Sequence, residues 1–161
     1  MSTIIDIRAG QKRDIPALEQ LVKELHDNSS FKYSHYSYDK TVSSIWEMIE
    51  QEHMCVFVAE EYDGEHYTIV GMFMGFVADY WWGDSLSSSD LLLYITPTHQ
   101  GKKIAPSLLD EYVAWARGQG VQPRQINIGI STGVNVEKTT ALYEQKGFKV
   151  SGVNFNYMNR G

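Results

Sequence analysis

Tyr94-Ile95-Thr96-Pro97-Thr98-His99-Gln100-Gly101-Lys102-Lys103-Ile104-Ala105 is the stretch on which the fold depends. It leaves the apolar segment Leu91-Leu92-Leu93-Tyr94-Ile95, breaks at Pro97, and enters a region where Ile104, Leu108, Leu109, Tyr112, Val113 and Ala116 recur at helical spacing. The unbroken apolar run predicts a strand buried on both faces. The sequence from Gly101 predicts an amphipathic helix closed by Gly118 and Gly120. A strand, a short turn and a helix in that order bring together backbone N–H groups with no partner inside the helix and the positive end of its dipole. Such a corner binds anions, and the small residues Gly101 and Ala105 let a phosphate approach the backbone. Lys102 and Lys103 stand in the first turn, where a cation is unfavourable by roughly 0.3–1 kcal/mol unless something negative lies nearby. A pyrophosphate reverses that sign; a solvated lysine pair accounts for the same residues.

Working outward, Thr3-Ile4-Ile5-Asp6-Ile7-Arg8-Ala9 reads as a strand. Asp14 reads as a helix N-cap with Pro16 in the first turn, and Ile15, Leu18, Leu21, Val22 and Leu25 form the apolar stripe that follows. A second helix, capped by Asp39, presents Val42, Ile45, Trp46 and Ile49. Residues 54–59 and 69–78 read as a hairpin about Asp63-Gly64, and Tyr80-Trp81-Trp82-Gly83-Asp84 with the serines after it as a loop. Downstream, residues 125–130 read as a strand, residues 135–145 as a helix stopped by Gly147, and residues 148–153 and 155–158 as the last strands. The order β-α-α-β-β-β-α-β-α-β describes an α/β (α+β) fold: a mixed, mostly antiparallel sheet with helices on both faces.

The bulk numbers fit that picture. A chain of 161 residues makes a single domain spanning residues 1–161 and is long enough to bury a sizeable core. The net charge of −6 disfavours nucleic acid as a partner and suits a cationic one, although solubility alone also explains it. No apolar run approaches the ~20 residues of a membrane span, and the polar start lacks the pattern of a secretory signal. Cys55 is the single cysteine, so no internal disulfide ties the fold to an oxidising compartment, and the cytoplasm is expected. His26, His35, His53, His66 and His99 lack metal-ligand spacing. No Gly-x-Ser-x-Gly or paired Cys/His motif points to a covalent nucleophile. No metal, nucleic acid or membrane is expected.

Pro97-x-x-Gln100-Gly101-Lys102-Lys103-Ile104-Ala105 after a strand resembles the coenzyme A signature of the GNAT superfamily of N-acetyltransferases, Arg/Gln-x-x-Gly-x-Gly/Ala. Gln100 and Ala105 fill the outer positions, and Lys103 replaces the middle glycine. Two further segments agree in order: Ser131-Thr132-Gly133-Val134-Asn135, and Ala141-Leu142-Tyr143-Glu144-Gln145-Lys146-Gly147-Phe148, which is similar to the family's asparagine and Leu-Tyr-Glu-x-x-Gly-Phe ending. The opening strand and Asp14-Ile15-Pro16-Ala17 also resemble the family's start.

The resemblance implies direct transfer of an acetyl group from acetyl-CoA, a co-substrate, to a primary amine on a small molecule or a protein. It implies that Leu93 and Ile95 pair with the pantetheine arm, where an ordinary paired strand is the competing reading. It also implies that Gln100, Gly101, Lys102, Lys103, Ile104 and Ala105 hold the pyrophosphate. Asn135 is expected to bind the cofactor, to cap the next helix, or both. Tyr143 matches the general acid, because a phenol of pKa ≈ 10 still holds its proton at neutral pH; packing against Phe148 is its structural alternative. Asp90 is the expected general base, with Glu60, Glu61 or a water chain as competitors. The aromatic residues Phe31, Tyr33, Tyr36, Tyr38, Tyr80, Trp81 and Trp82 mark either the acceptor side, with Tyr33, Tyr36, Trp81 and Trp82 as candidates, or a homodimer interface. A coenzyme A-binding module without catalysis, or a protein-interaction module, is the competing function. Lys103 in the glycine position is the feature that sustains the former.

Overall fold

Side-chain alternation along two central strands sets the layers of this molecule, whose computed structural model describes residues 3–130 and 135–157. The elements are β1 (Ile4–Ala9), α1 (Ile15–Asp27), α2 (Tyr38–Glu50), β2 (Met54–Tyr62), β3 (Tyr67–Asp79), β4 (Leu86–Ile95), α3 (Ile104–Gly118) and α4 (Val136–Gln145). The four strands form one sheet in the order β1-β2-β3-β4, each pair antiparallel. Successive side chains point to opposite faces. Val56, Val58, Met72 and Met74 pack with Leu18, Leu21 and Ile45 under α1 and α2. Cys55, Phe73 and Val77 pack with Leu108, Leu109, Tyr112 and Ala116 of α3 and with Tyr143 of α4. Each buried Val, Leu, Ile, Phe or Met side chain among these contributes about 1.5–3 kcal/mol. The expected helices on both faces are present.

Several local expectations are corrected. The N-cap of α2 is Ser37, whose side chain accepts from the Lys40 amide; Asp39 lies inside the first turn. Asp14 holds the N-cap position of α1 but caps nothing there. Its carboxylate is instead gripped by both terminal nitrogens of Arg8, at 2.8 and 2.9 Å, and by the Gln11 amide at 2.7 Å. α3 begins at Ile104 rather than Gly101. The serines expected in a loop, Ser87, Ser88 and Ser89, pair with β3 inside β4. β4, the last strand of the sheet, is not buried on both faces: Leu91, which pairs with no residue of β3, is 42% exposed.

The strand expected at residues 125–130 reduces to one parallel bridge, Ser88↔Ile126. No strand forms among described residues 148–157, where Val150, Val153, Phe155 and Tyr157 are exposed. Alternating apolar residues specify a strand only where an edge pairs with them. α4 ends as expected at Gly147, in a paired cap: Phe148 N donates to Tyr143 O (3.0 Å) and Gly147 N to Glu144 O (3.1 Å).

Burial alone raises the Asp14 pKa, but the hydrogen bonds from Arg8 and the Gln11 amide outweigh it, and the net shift is downward. The stability this carboxylate contributes is therefore fully present above the ordinary aspartate value, about 3.9, and is lost as the pH falls through its lowered value. Asp14→Asn, followed by urea denaturation at pH 7, is expected to cost about 2 kcal/mol, less than a fully buried pair because Arg8 keeps Glu60. Lys103, the N-cap of α3, sits at φ 63° in the left-handed region. Relieving that conformation by Lys103→Gly is expected to add about 1 kcal/mol in the same assay.

Candidate active site

At the end of β4 the chain makes one 3-10 turn over Pro97–His99, passes Gly101 at φ 80° and Lys103 at φ 63°, and enters α3. A positive φ at position 103 is the physical reason a signature of this kind carries glycine there. The lysine adopts the same backbone at a cost in strain. No side chain caps α3, so the N–H groups of its first turn face outward for a ligand or solvent. The turn itself is held from within. Gln100 Nε2 donates to Ile95 O at 3.2 Å, and the Thr96 amide donates to Val70 O at 2.9 Å. Below it, His99 Nε2 lies 2.7 Å from Glu61 Oε2, while Nδ1 lies 2.9 Å from Thr98 Oγ1.

Beside this turn the sheet opens. Asn127 N donates to Ser88 O at 2.9 Å, completing the single bridge between β4 and the segment at 126–130. The next rungs are missing. β4 carries a bulge at Leu91, since Met74 pairs with Leu92 and Gly75 with Asp90. A Cβ at position 75 would lie 2.9 Å from Ser89 O, so the close approach of backbones across the bulge requires glycine. Beyond the bridge, Asp90 Oδ1 accepts from Gly129 N at 2.8 Å, and Tyr143 Oη donates to Gly129 O at 3.2 Å. One residue thereby holds a carboxylate and a phenol on its two sides. Burial raises the Asp90 pKa, partly offset by the Gly129 N–H. Burial, then the charge of Asp90, raises that of Tyr143, which keeps its proton well into the alkaline range.

These groups line a cleft of about 400 Å³. Gln100, Gly101, Lys103, Ile104 and Ala105 bring the turn to it, Asp90, Leu93 and Ile95 the edge of β4, Gly129 the opened segment, and Asn135 and Tyr143 the start and body of α4. Asn135 is at φ 49°, the N-cap of α4, with no capping bond from its side chain. Lys102 lies outside the lining. Of the carboxylates weighed against Asp90, Glu60 is paired with Arg8 and Glu61 with His99. The aromatic candidates are elsewhere. Tyr33 and Trp81 are exposed, Trp82 stacks on Tyr80 at 4.8 Å, and Tyr36 donates to Glu19 Oε2 at 2.5 Å. Residues 131–134, which include Ser131 of the downstream motif, lie outside the described residues.

Sequence reading passed over Gly129 and His99, both of which line the cleft. The signal for Gly129 was present: an isolated glycine between Ile128 and Ile130 marks close approach of another group. Among the described residues no group of three or more His, Cys, Asp or Glu is placed to hold a metal ion. Cys55 is buried, and burial pushes its thiol up to about 12, so it is no nucleophile. No described helix is long and apolar enough to cross a membrane.

Solved structures with the same fold are numerous. AAC(6')-Iy, in complex with the bisubstrate analogue CoA-S-monomethyl-acetylneamine, has 18% identity and a TM-score of 0.74, with 98% of this chain and 99% of that one covered. A predicted acetyltransferase with acetyl-CoA from Clostridium acetobutylicum has 16% identity and a TM-score of 0.74, covering 95% and 96%. Glucosamine-6-phosphate N-acetyltransferase from Arabidopsis thaliana has 11% identity and a TM-score of 0.74, covering 96% and 98%. No curated protein sequence matches the chain. The model of the Acetyltransferase (GNAT) family matches residues 18–148. With its turn, its opened sheet edge and that match along most of its length, the chain belongs to the GNAT acetyltransferase family, a family of acyltransferases.

Proposed function

We propose that this chain moves an acetyl group from acetyl-CoA directly to a primary amine, with Tyr143 as general acid and Asp90 as general base. The observation that carries this reading is the pairing of Asp90 and Tyr143 on either side of Gly129, at a cleft that begins on the uncapped first turn of α3. The residues fit the co-substrate. Gly101, Lys103, Ile104 and Ala105 offer backbone amides to a pyrophosphate at a helix N-terminus. Leu93 and Ile95 offer the strand-free edge of β4 to an extended, amide-bearing arm, with the Ile95 carbonyl bonded to Gln100, and Asn135 lines the same cleft. Acetyl-CoA supplies an activated acetyl group as a thioester.

Each protein group then has a defined task. Tyr143 holds a phenolic proton for the sulfur that departs, and its raised pKa keeps that proton in place at neutral pH. Asp90, shifted upward by burial, is a better proton acceptor near neutrality than an exposed aspartate. A backbone amide near Ile95 is suited to polarise the thioester oxygen. Similar structures support an amine acceptor, since one is bound to the bisubstrate analogue CoA-S-monomethyl-acetylneamine and another is a glucosamine-6-phosphate N-acetyltransferase.

Thioester consumption against a panel of amines tests the reading; binding of acetyl-CoA without turnover on any amine would leave only a coenzyme A-binding module. Tyr143→Phe is expected to retain coenzyme A affinity and lower kcat by about 10²-fold, within the range typical of a positioned acid. Unchanged turnover removes Tyr143 from the mechanism. Asp90→Asn can keep the hydrogen bond to Gly129 while losing the charge. The wild-type profile of kcat/KM is expected to fall on its acid side at a pH above the ordinary aspartate value of about 3.9. In Asp90→Asn that limb should disappear along with most activity.

A further inference from the structure

Tyr112 of α3 is completely buried with its ring against Phe73, centroids 4.5 Å apart. A phenylalanine would fill the same space, and a polar tip at this depth is unfavourable unless it is bonded. Its hydroxyl lies 2.6 Å from the carbonyl oxygen of Asn127 and 2.9 Å from Oγ of Ser88, itself buried.

The position of that bond matters. In a parallel ladder, a residue donates to the residue before its partner and accepts from the one after. Ser88 is bridged to Ile126 and accepts from Asn127 N. Two residues on, Asp90 in a continued ladder would donate to Asn127 O and accept from Gly129 N. Both of those groups are taken by side chains: Asn127 O by Tyr112 and Gly129 N by the Asp90 carboxylate. Side chains thus stand where the next rungs of the ladder would form, and the ladder has one bridge.

We propose that Tyr112 is a positioning residue whose hydroxyl, by occupying the Asn127 carbonyl, holds the segment at 127–130 off β4 and keeps that edge open for the cofactor arm. The proposal rests on reading the cleft as a coenzyme A site. Asp90 supplies the other half of the blockade but also has a chemical task, so Tyr112 is the member whose effect separates from chemistry. Without its hydroxyl, nothing on α3 holds the Asn127 carbonyl in place, the segment can close on β4 through a rung from Asp90 N–H, and the cofactor must break that rung before it can enter.

The test titrates coenzyme A calorimetrically into wild type, Tyr112→Phe and Ser88→Ala, with thermal melts of each and steady-state kinetics in acetyl-CoA. Tyr112→Phe is expected to weaken coenzyme A binding by about ten-fold, the scale of one buried hydrogen bond. KM for acetyl-CoA should rise by the same factor while kcat at saturation changes by less than about two-fold. Ser88→Ala, which loses a buried hydroxyl but leaves the Tyr112–Asn127 bond, is expected to melt lower and bind as wild type does. Wild-type affinity in a folded Tyr112→Phe variant overturns the proposal, and so does equal weakening in Ser88→Ala, which indicates general core damage. Should Tyr112→Phe fail to fold, a crystal structure of the wild-type complex with coenzyme A decides. The Tyr112–Asn127 bond intact supports the strut, and the Asn127 carbonyl bonded to the cofactor or to β4 overturns it. A wild type that binds no coenzyme A is a distinct result, which removes the reading of the cleft and the strut together.

Discussion

An interrupted strand pairing is the constraint from which the rest of this structure follows. β4 and the segment after α3 meet at Ser88 and Ile126 and then part. Pairing beyond that point would close the sheet and leave no edge to offer a ligand. Stopping it leaves backbone groups without a strand partner, open to side chains. Tyr112, Asp90 and Tyr143 bond such groups at Asn127 and Gly129. The same side chains that occupy the gap thus set its chemistry: a carboxylate and a phenol placed where a thioester and an amine are proposed to meet.

The gap and the anion corner are mechanically joined. α3 carries the uncapped first turn at Ile104 and, two turns on, Tyr112. Its apolar stripe of Ile104, Leu108, Leu109, Tyr112 and Ala116 is buried against the sheet. A helix fixed in this way presents its N-terminal amides and its strut in one rigid unit. Lys103 tolerates a left-handed backbone at the entrance, so the turn keeps the shape its signature specifies while a cation replaces the usual glycine.

Much of this was legible in the sequence, for identifiable reasons. Helical periodicity in α1, α2 and α3 is strong, and the turn after Ile95 carries proline, glycine and a motif of fixed spacing. The residues forecast at the cofactor turn and at Asp90, Asn135 and Tyr143 converge on one cleft, Lys102 excepted. What sequence could not supply was pairing. Ser87, Ser88 and Ser89 look like loop until β3 is placed opposite them, and residues 125–130 look like strand until the side chains that replace their partners are placed. The deciding bonds join residues far apart in the chain, such as Tyr112 with Ser88 and Asp90 with Gly129, and no local pattern encodes them. The aromatic clusters at Tyr33 and Trp81 were conspicuous by composition alone, and neither reaches the cleft lining.

Amide hydrogen exchange with and without acetyl-CoA tests the central claim most directly, because it reads the backbone groups on which the account depends. Slowed exchange concentrated at residues 93–105, along the edge of β4 and into the first turn of α3, is the predicted result. Unaltered exchange there, or protection confined to the aromatic loops at residues 31–38 and 80–85, would contradict it.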